Sequence, residues 1–273
     1  MSKAVAKKSK IIPVSVYDSS DTWDILEEHA GAGFEDTNAD DFVLPFIKKA
    51  EHQSKCLQKQ HEKYVPGAEA GQLVHNVMLK SFDTLYMLPV KYDNFLQHYK
   101  FPDGTGGWLG NYKFNAPDVP EYPKVTKDDR TYRVPIAMPD SYLQQCFNYI
   151  GLFFDKDMTP IGPAILPMEK SQCRTARMFN VLLNSKKITL ANGNSIKAPI
   201  FSHLYEISLK PITNDKGSFY AFAYDTGTVV SDRAMLTDAV DLMKSLREVD
   251  TTTLAPEVEG SDNTEPSNDS FEI

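Results

Sequence analysis

The sequence lacks the features that mark membrane-spanning and secreted proteins. No run of eighteen apolar residues occurs, so a transmembrane helix is excluded. The basic start is followed by only a short apolar stretch, broken by Pro13, which does not fit a secretory signal peptide. The three cysteines, Cys56, Cys146 and Cys173, are too few and too scattered for a disulfide framework. These absences predict a protein of a reducing compartment, the cytoplasm.

Motifs of the common enzyme classes are also missing. There is no GxxxxGKS/T phosphate loop and no GxSxG nucleophile elbow. The glycines of 104–110 lack the GxGxxG spacing and lie among aromatic residues and prolines, which predicts a flexible loop. His52, Cys56 and His61 have no fourth ligand at metal-like spacing, and the acids of 18–41 show no acid–base pair. We therefore predict neither catalysis nor a metal or other cofactor.

Charge is present, but it is unevenly distributed along the chain. The formal net charge is −8, yet residues 1–10 carry +4 and residues 48–247 carry +5. The negative charge belongs to residues 11–47, with nine acids and no Lys or Arg, and to residues 248–273, with eight acids and no Lys or Arg. A mildly basic body with acidic flanks is compatible with an anionic ligand, whereas a uniformly acidic protein is not.

Apolar spacing and turn residues predict a mixture of short strands and a few helices. The predicted helices cover 21–30, Leu44 to about Gln60, 169–186, and a segment from the cap Ser231-Asp232 to about Arg247. Two hairpins are predicted, one turning at Asn192-Gly193 and one turning at residues 214–217. Further short strands are expected in the runs LVHNVML, LYMLPV, TYRVPIAM and IGLFF.

Residues 80–133 combine aromatic and basic side chains, most densely in 91–114. Single-stranded nucleic acid is bound by flat aromatic platforms, on which bases stack, with cations between them for the phosphates. Tyr112 and Phe114 flank Lys113, so in a strand both rings would lie on the face opposite that lysine. The alternative is that these aromatic rings fill a β-rich core.

The candidate nucleic-acid-binding residues follow from this composition. Stacking is expected from Tyr92, Phe95, Tyr99, Trp108, Tyr112 and Phe114. Phosphate contacts are expected from Lys91, Lys100, Lys113, Arg130, Arg133, Arg174 and Arg177. For the two arginines of the 169–186 helix, an ordinary solvated helix face explains the sequence equally well.

The last segment, 248–273, is polar and acidic and contains almost no large apolar residue before Phe271 and Ile273. Such a segment cannot bury enough surface to fold alone, so we predict a disordered tail. It is either a solubilising tail or an interaction tail. The apolar pair at its end favours the second reading, with Asp269, Phe271, Glu272 and Ile273 as the partner-binding residues.

A basic, aromatic, β-rich body followed by an acidic tail resembles phage-type single-stranded-DNA-binding proteins. Residues 31–55 and 64–74 also resemble the opening of phage proteins assigned that role. The resemblance implies an OB-like Greek-key barrel with added helices, an α+β fold. It further implies coating of single strands in replication, recombination and repair, with the tail recruiting replication or transcription proteins. The ending Asn-Asp-Ser-Phe-Glu-Ile departs from the commonest bacterial tail, which has several consecutive acids before an apolar pair.

We therefore predict three segments: a flexible basic arm over 1–20, a nucleic-acid-binding domain over 21–247, and an acidic interaction tail over 248–273. The predicted function is sequence-independent binding of single-stranded DNA, in the bacterial host cytoplasm if the protein is phage-encoded. Two alternatives remain open: a protein-interaction or regulatory module, such as an acidic DNA mimic or a transcription regulator, and a virion assembly component. The sequence leaves the oligomeric state undetermined.

Overall fold

The computed structural model describes residues 44–247 except for the short segments 102–106, 128–129, 190–191 and 215–216. These residues form mainly antiparallel strands and two α-helices, which confirms the prediction of a β-rich α+β fold. The strands are β1 Ile47–Lys49, β2 Leu73–His75, β3 Lys80–Phe82, β4 Thr84–Lys100, β5 Trp108–Lys113, β6 Lys124–Lys127, β7 Arg130–Arg133, β8 Ser141–Phe154, β9 Pro160–Glu169, β10 Lys187–Thr189, β11 Ser195–Lys197, β12 His203–Asn214, β13 Gly217–Tyr224 and β14 Thr228–Val229. The helices are α1 Cys173–Ser185 and α2 Arg233–Ser245, with single 3-10 turns at Lys55–Leu57, Lys170–Gln172 and Ile200–Ser202.

The main sheet is organised around the long antiparallel pair of β4 and β8, which share fourteen paired positions. Along one half of this pair, which we call the upper half, the strand order is β13-β12-β4-β8-β9. Along the other half, the lower half, β5 pairs with β4, and β7 and then β6 follow β8. Two small sheets, β1-β2-β3 and β10-β11, lie apart from this ladder.

Four strands of the upper half follow the Greek-key order. Strand β12 returns, after α1, to lie beside β4, so that the spatial order is β12-β4-β8-β9. This is the order of a fourth strand placed next to the first of three consecutive strands. Among the described residues no ladder joins the outer strands β9 and β13, so the closed barrel expected from the sequence is not observed as such.

The upper half is packed on both faces, because alternate residues of a strand point to opposite sides of a sheet. On one side, Met87 of β4 and Tyr149 of β8 pack with Phe179 of α1. On the other side, Leu88 of β4 and Ile150 of β8 cluster with Ala239 of α2 and its neighbours. We refer to these two sides of the whole sheet as the α1 face and the α2 face.

Local sequence signals locate several elements correctly. The apolar spacing of Cys173, Ala176, Phe179 and Leu183 predicts α1, and all four are buried in it. The side chain of Asp232 accepts hydrogen bonds from two backbone N–H groups in the first turn of α2, so its predicted role as a cap is confirmed. The two predicted hairpins are β10–β11 and β12–β13. Gly193 adopts φ 81°, which the first of these turns requires.

The helix predicted from Leu44 to about Gln60 is wrong. Residues 47–49 are a strand, and only one 3-10 turn, Lys55–Leu57, follows. Phe46 forms a parallel bridge with Ile165 of β9 and is almost fully buried. The backbone carbonyl of Pro45 accepts a hydrogen bond from Ile165 N at 2.8 Å. Pairing with β9 and burial of this segment therefore override its local helical preference.

A buried glutamine forms hydrogen bonds with the backbone at the outer edge of β13. Gln172, which is 1% exposed, accepts a hydrogen bond from Phe222 N at 3.0 Å and donates one to Tyr220 O at 3.2 Å. Its side-chain amide thus takes the place of a neighbouring strand. Lys49 also donates to Tyr220 O, so β1 and the turn before α1 cover the gap between β9 and β13.

Gln172→Leu is expected to lower the free energy of unfolding by about 2 kcal/mol, because it leaves the buried N–H of Phe222 unpaired and removes one of the two hydrogen bonds to the carbonyl of Tyr220. The measurement is urea unfolding followed by circular dichroism. Gln58→Leu is the matched control, since Gln58 is exposed and bonds a carbonyl through the same kind of amide. Equal unfolding free energies for the two variants would contradict the role assigned to Gln172.

Candidate nucleic-acid interface

The connection between β4 and β8 holds six of the thirteen candidate binding residues. It contains β5, β6 and β7, which extend the lower half of the sheet on both sides of the central pair. Trp108, expected in a glycine-rich loop, instead begins β5 and is half-buried. Its indole Nε1 donates a hydrogen bond to Asn111 Oδ1 at 3.1 Å.

The register of the strands divides the candidate residues between the two faces. Residues directly opposite each other in antiparallel strands point to the same side. Tyr112 is opposite Leu96, whereas Lys113 is opposite Phe95, so the predicted separation of Tyr112 from Lys113 is confirmed by the register. Lys100, Tyr112 and Arg133 share the α1 face, while Phe95, Tyr99 and Lys113 share the α2 face. A single site containing all thirteen candidates is therefore not formed.

On the α2 face the rings pack on one another. Tyr99 stacks on Tyr142 with ring centroids 5.8 Å apart, and Phe101 and Tyr132 contact Tyr142 at 5.1 and 5.6 Å. Burial raises the pKa of Tyr142 to about 12, and burial beside the Glu169 carboxylate raises that of Tyr99 still further. These phenols stay neutral, and the cluster stabilises the lower half of the sheet.

Three candidates have roles in the fold. Phe95 is 1% exposed and lies in the interior. Tyr92 packs against Phe147 and Tyr149 at 6.3 and 5.4 Å, and burial raises the pKa of its phenol. Lys91 donates a hydrogen bond to the carbonyl of Leu246 at 3.3 Å and thereby ties β4 to the end of α2. These positions agree with the alternative that part of the aromatic group fills the core.

On the α1 face, five cations lie along the lower half and the adjoining helix. We call this surface the basic face. Its members are Lys100, Lys124, Arg133, Arg174 and Arg177. Lys100, Lys124 and both arginines of α1 are exposed, and Arg133 is half-buried. All but Lys124 are sequence candidates. Register places Lys100 and Arg133 on one face of the sheet, and α1, which packs on that face, carries Arg174 and Arg177.

Lys124 is the functional candidate that sequence reasoning left out of the site. It lies directly opposite Arg133 in the β6–β7 hairpin, and Lys127 lies opposite Arg130 in the same ladder. Like charges directly opposite one another destabilise a strand pair, so an anionic ligand would relieve the repulsion. In the sequence, the runs 124–127 and 130–133 are separated by Asp128-Asp129, and aspartate favours turns, which is the only local signal for this pairing.

Polar groups connect the helix to the sheet within the basic face. Arg177 Nη2 donates a hydrogen bond to Gln145 Oε1 at 3.2 Å, and Gln145 Nε2 donates to Asn94 Oδ1 at 3.1 Å. The carbonyl of Asn94 accepts a hydrogen bond from Phe114 N at 3.1 Å. This chain of contacts holds the arginine of α1 next to the end of β5, where Phe114 is half-buried.

Tyr112 is the aromatic candidate on the basic face. Its ring lies 5.9 Å from the ring of His98, which is buried. Ser141 Oγ donates to the carbonyl of Met138 at 2.7 Å, so His98 Nε2, 2.7 Å from the same oxygen, is the donor in their hydrogen bond. Desolvation lowers the pKa of His98. A neutral, fixed imidazole thus supports a half-buried tyrosine ring on the same face of the sheet as the cations.

Several sequence predictions lie outside the described residues or side chains. The arm 1–20, the helix 21–30 and the tail with Asp269, Phe271, Glu272 and Ile273 are not described. For Arg130 the backbone pairing with Lys127 is described. Within the described residues there is no group of three or more His, Cys, Asp or Glu side chains able to hold a metal ion. Helices long and apolar enough to span a membrane are also absent from that part of the chain.

Comparison with known proteins places the chain in a phage protein family. Residues 18–252 match the family described as Pam3 phage gp34-like protein, and the chain belongs to this family. No curated protein matches the sequence, and no solved structure matches it. The family description supports the phage part of the resemblance noted in the sequence.

Proposed function

We propose that the protein binds single-stranded DNA without sequence preference, with the strand lying along the basic face. The observation that carries the proposal is the register that places Lys100, Lys124 and Arg133 on the same face of the sheet as Tyr112, the face on which α1 packs. Cations spaced around an aromatic platform are the composition that single-stranded nucleic acid requires. The unfavourable Lys124–Arg133 pair is consistent with a surface selected for binding anions.

The topology supports an OB-like interpretation of the upper half. OB-folds are partly open, five-stranded Greek-key barrels that bind oligonucleotides on one face and with the loop between strands 1 and 2. Strands β4, β8, β9, β12 and β13 match that count and follow the Greek-key order. The connection between the first two of them carries β5, β6 and β7, and hence Tyr112, Lys124 and Arg133 of the basic face.

The phage family is compatible with a protein that acts inside the bacterial host. The proposed role there is in phage DNA replication, recombination and repair. In this proposal the acidic residues 248–273 recruit replication or transcription proteins, with Phe271 and Ile273 as the apolar contacts. No catalytic step is assigned to the protein. Its ligand is the sugar-phosphate backbone together with stacked bases.

Titration of the full chain with fluorescent oligo-dT tests the proposal. Each phosphate contact to a single strand makes the slope of log affinity against log salt concentration more negative by about 0.7. One contact therefore makes the affinity about fivefold higher at 0.1 M than at 1 M salt. If all five cations of the basic face bind phosphates, the slope is about −3.5. Anisotropy measured from 0.05 to 0.5 M NaCl gives this slope. Absence of binding at the lowest salt would refute the proposed function.

A further inference from the structure

A second basic surface follows α1 along the chain. Between Lys170 and Tyr205 the sequence contains no Asp or Glu, although the whole chain has an excess of acids. Six cations occupy this stretch, Lys170, Arg174, Arg177, Lys186, Lys187 and Lys197. The two arginines belong to the basic face. Lys186, Lys187 and Lys197 lie at the hairpin formed by β10 and β11.

The β10–β11 hairpin places two lysines in direct opposition. Lys187 pairs with Lys197, and both are exposed. The next pair, Ile188 and Ile196, points to the other side of the hairpin. Among the described residues no carboxylate forms an ion pair with either lysine. An isolated two-stranded hairpin is marginally stable. The like-charge pair destabilises this hairpin further, and no ion pair with either lysine in the described part of the chain offsets the repulsion.

The base of the hairpin is fixed to the body of the protein. Lys186, just before β10, donates a hydrogen bond from its ammonium to the carbonyl of Thr226, in the loop between β13 and β14. Just after β11, Ala198 N donates to the carbonyl of Lys186 at 2.9 Å. Because both ends of the hairpin are held, the two ammonium groups of Lys187 and Lys197 are presented together on one side of an anchored element.

We infer that the Lys187–Lys197 pair is a phosphate clamp for the same single strand of DNA that lies on the basic face. This inference rests on the proposed function. A phosphate between the two ammonium groups converts their repulsion into two attractive contacts. From Arg177 to Ser185, the last residue of α1 and two residues before Lys187, the helical rise gives about 12 Å. That distance corresponds to about four phosphates at the stacked spacing of 3.4 Å.

The test uses the full chain and dT30 at 0.1 M NaCl. Lys187→Gln removes one contact, so the affinity is expected to fall about fivefold. Lys187→Glu also neutralises Lys197, so both contacts are lost and the affinity falls about 25-fold. The slope against salt decreases by about 0.7 and about 1.4 respectively. Unfolding midpoints in urea are expected to rise slightly in both variants, because the like-charge pair is removed.

Lys156→Glu is the matched control, since it changes the net charge by the same amount at an exposed lysine between Asp155 and Asp157. If Lys187→Glu binds dT30 as tightly as this control does, the clamp is overturned and the proposed function stays intact. The same holds if both Lys187 variants unfold at a lower urea concentration than the unchanged protein. Absence of dT30 binding by the unchanged protein would overturn the proposed function, and the clamp with it.

Discussion

The triple variant Lys100→Glu, Lys124→Glu, Arg133→Glu is expected to bind oligo-dT about 100-fold more weakly than the unchanged protein at 0.1 M salt. These three residues share the α1 face of the lower half with Tyr112. Removal of three phosphate contacts lowers the salt slope by about 2. The difference in affinity between the variant and the unchanged protein therefore decreases as the salt concentration rises. Anisotropy titrations at several salt concentrations measure both this difference and the slope.

The design of this variant separates binding from folding. Positions 124 and 133 remain a like-charge pair after both are changed, so the repulsion across the β6–β7 ladder is preserved. The control changes three exposed lysines outside the basic face, Lys156, Lys210 and Lys244, to glutamate and has the same net charge. A similar loss of affinity in the control would show that net charge, and not the basic face, governs binding.

A second control distinguishes stacking from charge. Tyr112→Leu removes the aromatic platform while all five cations stay in place. Loss of a stacked base costs roughly 1–3 kcal/mol, which lowers the affinity about 5- to 150-fold, and it leaves the salt slope unchanged. If Tyr112→Leu instead changed the slope as the triple variant does, Tyr112 would be acting through the placement of the cations.

The sequence predicts the elements that depend on local chemistry. The spacing of apolar residues locates α1, Asp232 marks the start of α2, and Asn192-Gly193 specifies the β10–β11 turn. The segment that begins at Leu44 is different, because its conformation depends on the pairing of Phe46 with a residue 119 positions away. Phe46 is extended since it pairs with Ile165, and no signal near Phe46 in the sequence reports that contact.

The candidate site shows the same division between local and long-range information. Aromatic and basic residues of 91–114 are close in sequence, but alternation sends Lys113 and Tyr112 to opposite faces. Conversely, Lys100 and Arg133 are distant in sequence, and the β4–β8 and β7–β8 registers place both on the α1 face. Composition thus indicated which types of side chain could bind a nucleic acid. Which of these side chains lie on the same face could be determined only from the strand pairing.

The same central pair of strands leads to the largest expected effect on stability. Gly151 of β8 lies opposite Pro89 of β4, next to the bulge between Pro89 and Lys91. A Cβ atom at this position would collide with the backbone carbonyl oxygen of Leu88 and would lie 2.9 Å from Pro89 Cα. Both contacts are with backbone, so no side-chain rotation can relieve them. The bulge brings β4 so close to β8 that only glycine fits.

Gly151→Ala is therefore expected to lower the free energy of unfolding by about 3 kcal/mol or more, as overpacking at a rigid position does. In an ordinary strand position the same change is favourable by roughly 0.5–1 kcal/mol, because alanine loses less backbone entropy. Urea unfolding followed by circular dichroism measures the difference.

Gly162→Ala provides the comparison that isolates the collision. Gly162 also lies in the main sheet, in β9, and has φ 111°, but no atom lies within 4 Å of an added Cβ. Its cost comes from backbone conformation alone, about 1–2 kcal/mol. A smaller loss for Gly151→Ala than for Gly162→Ala would mean that β4 and β8 can separate at the bulge. The registers that assemble the basic face would then be less rigid than the β4–β8 ladder implies.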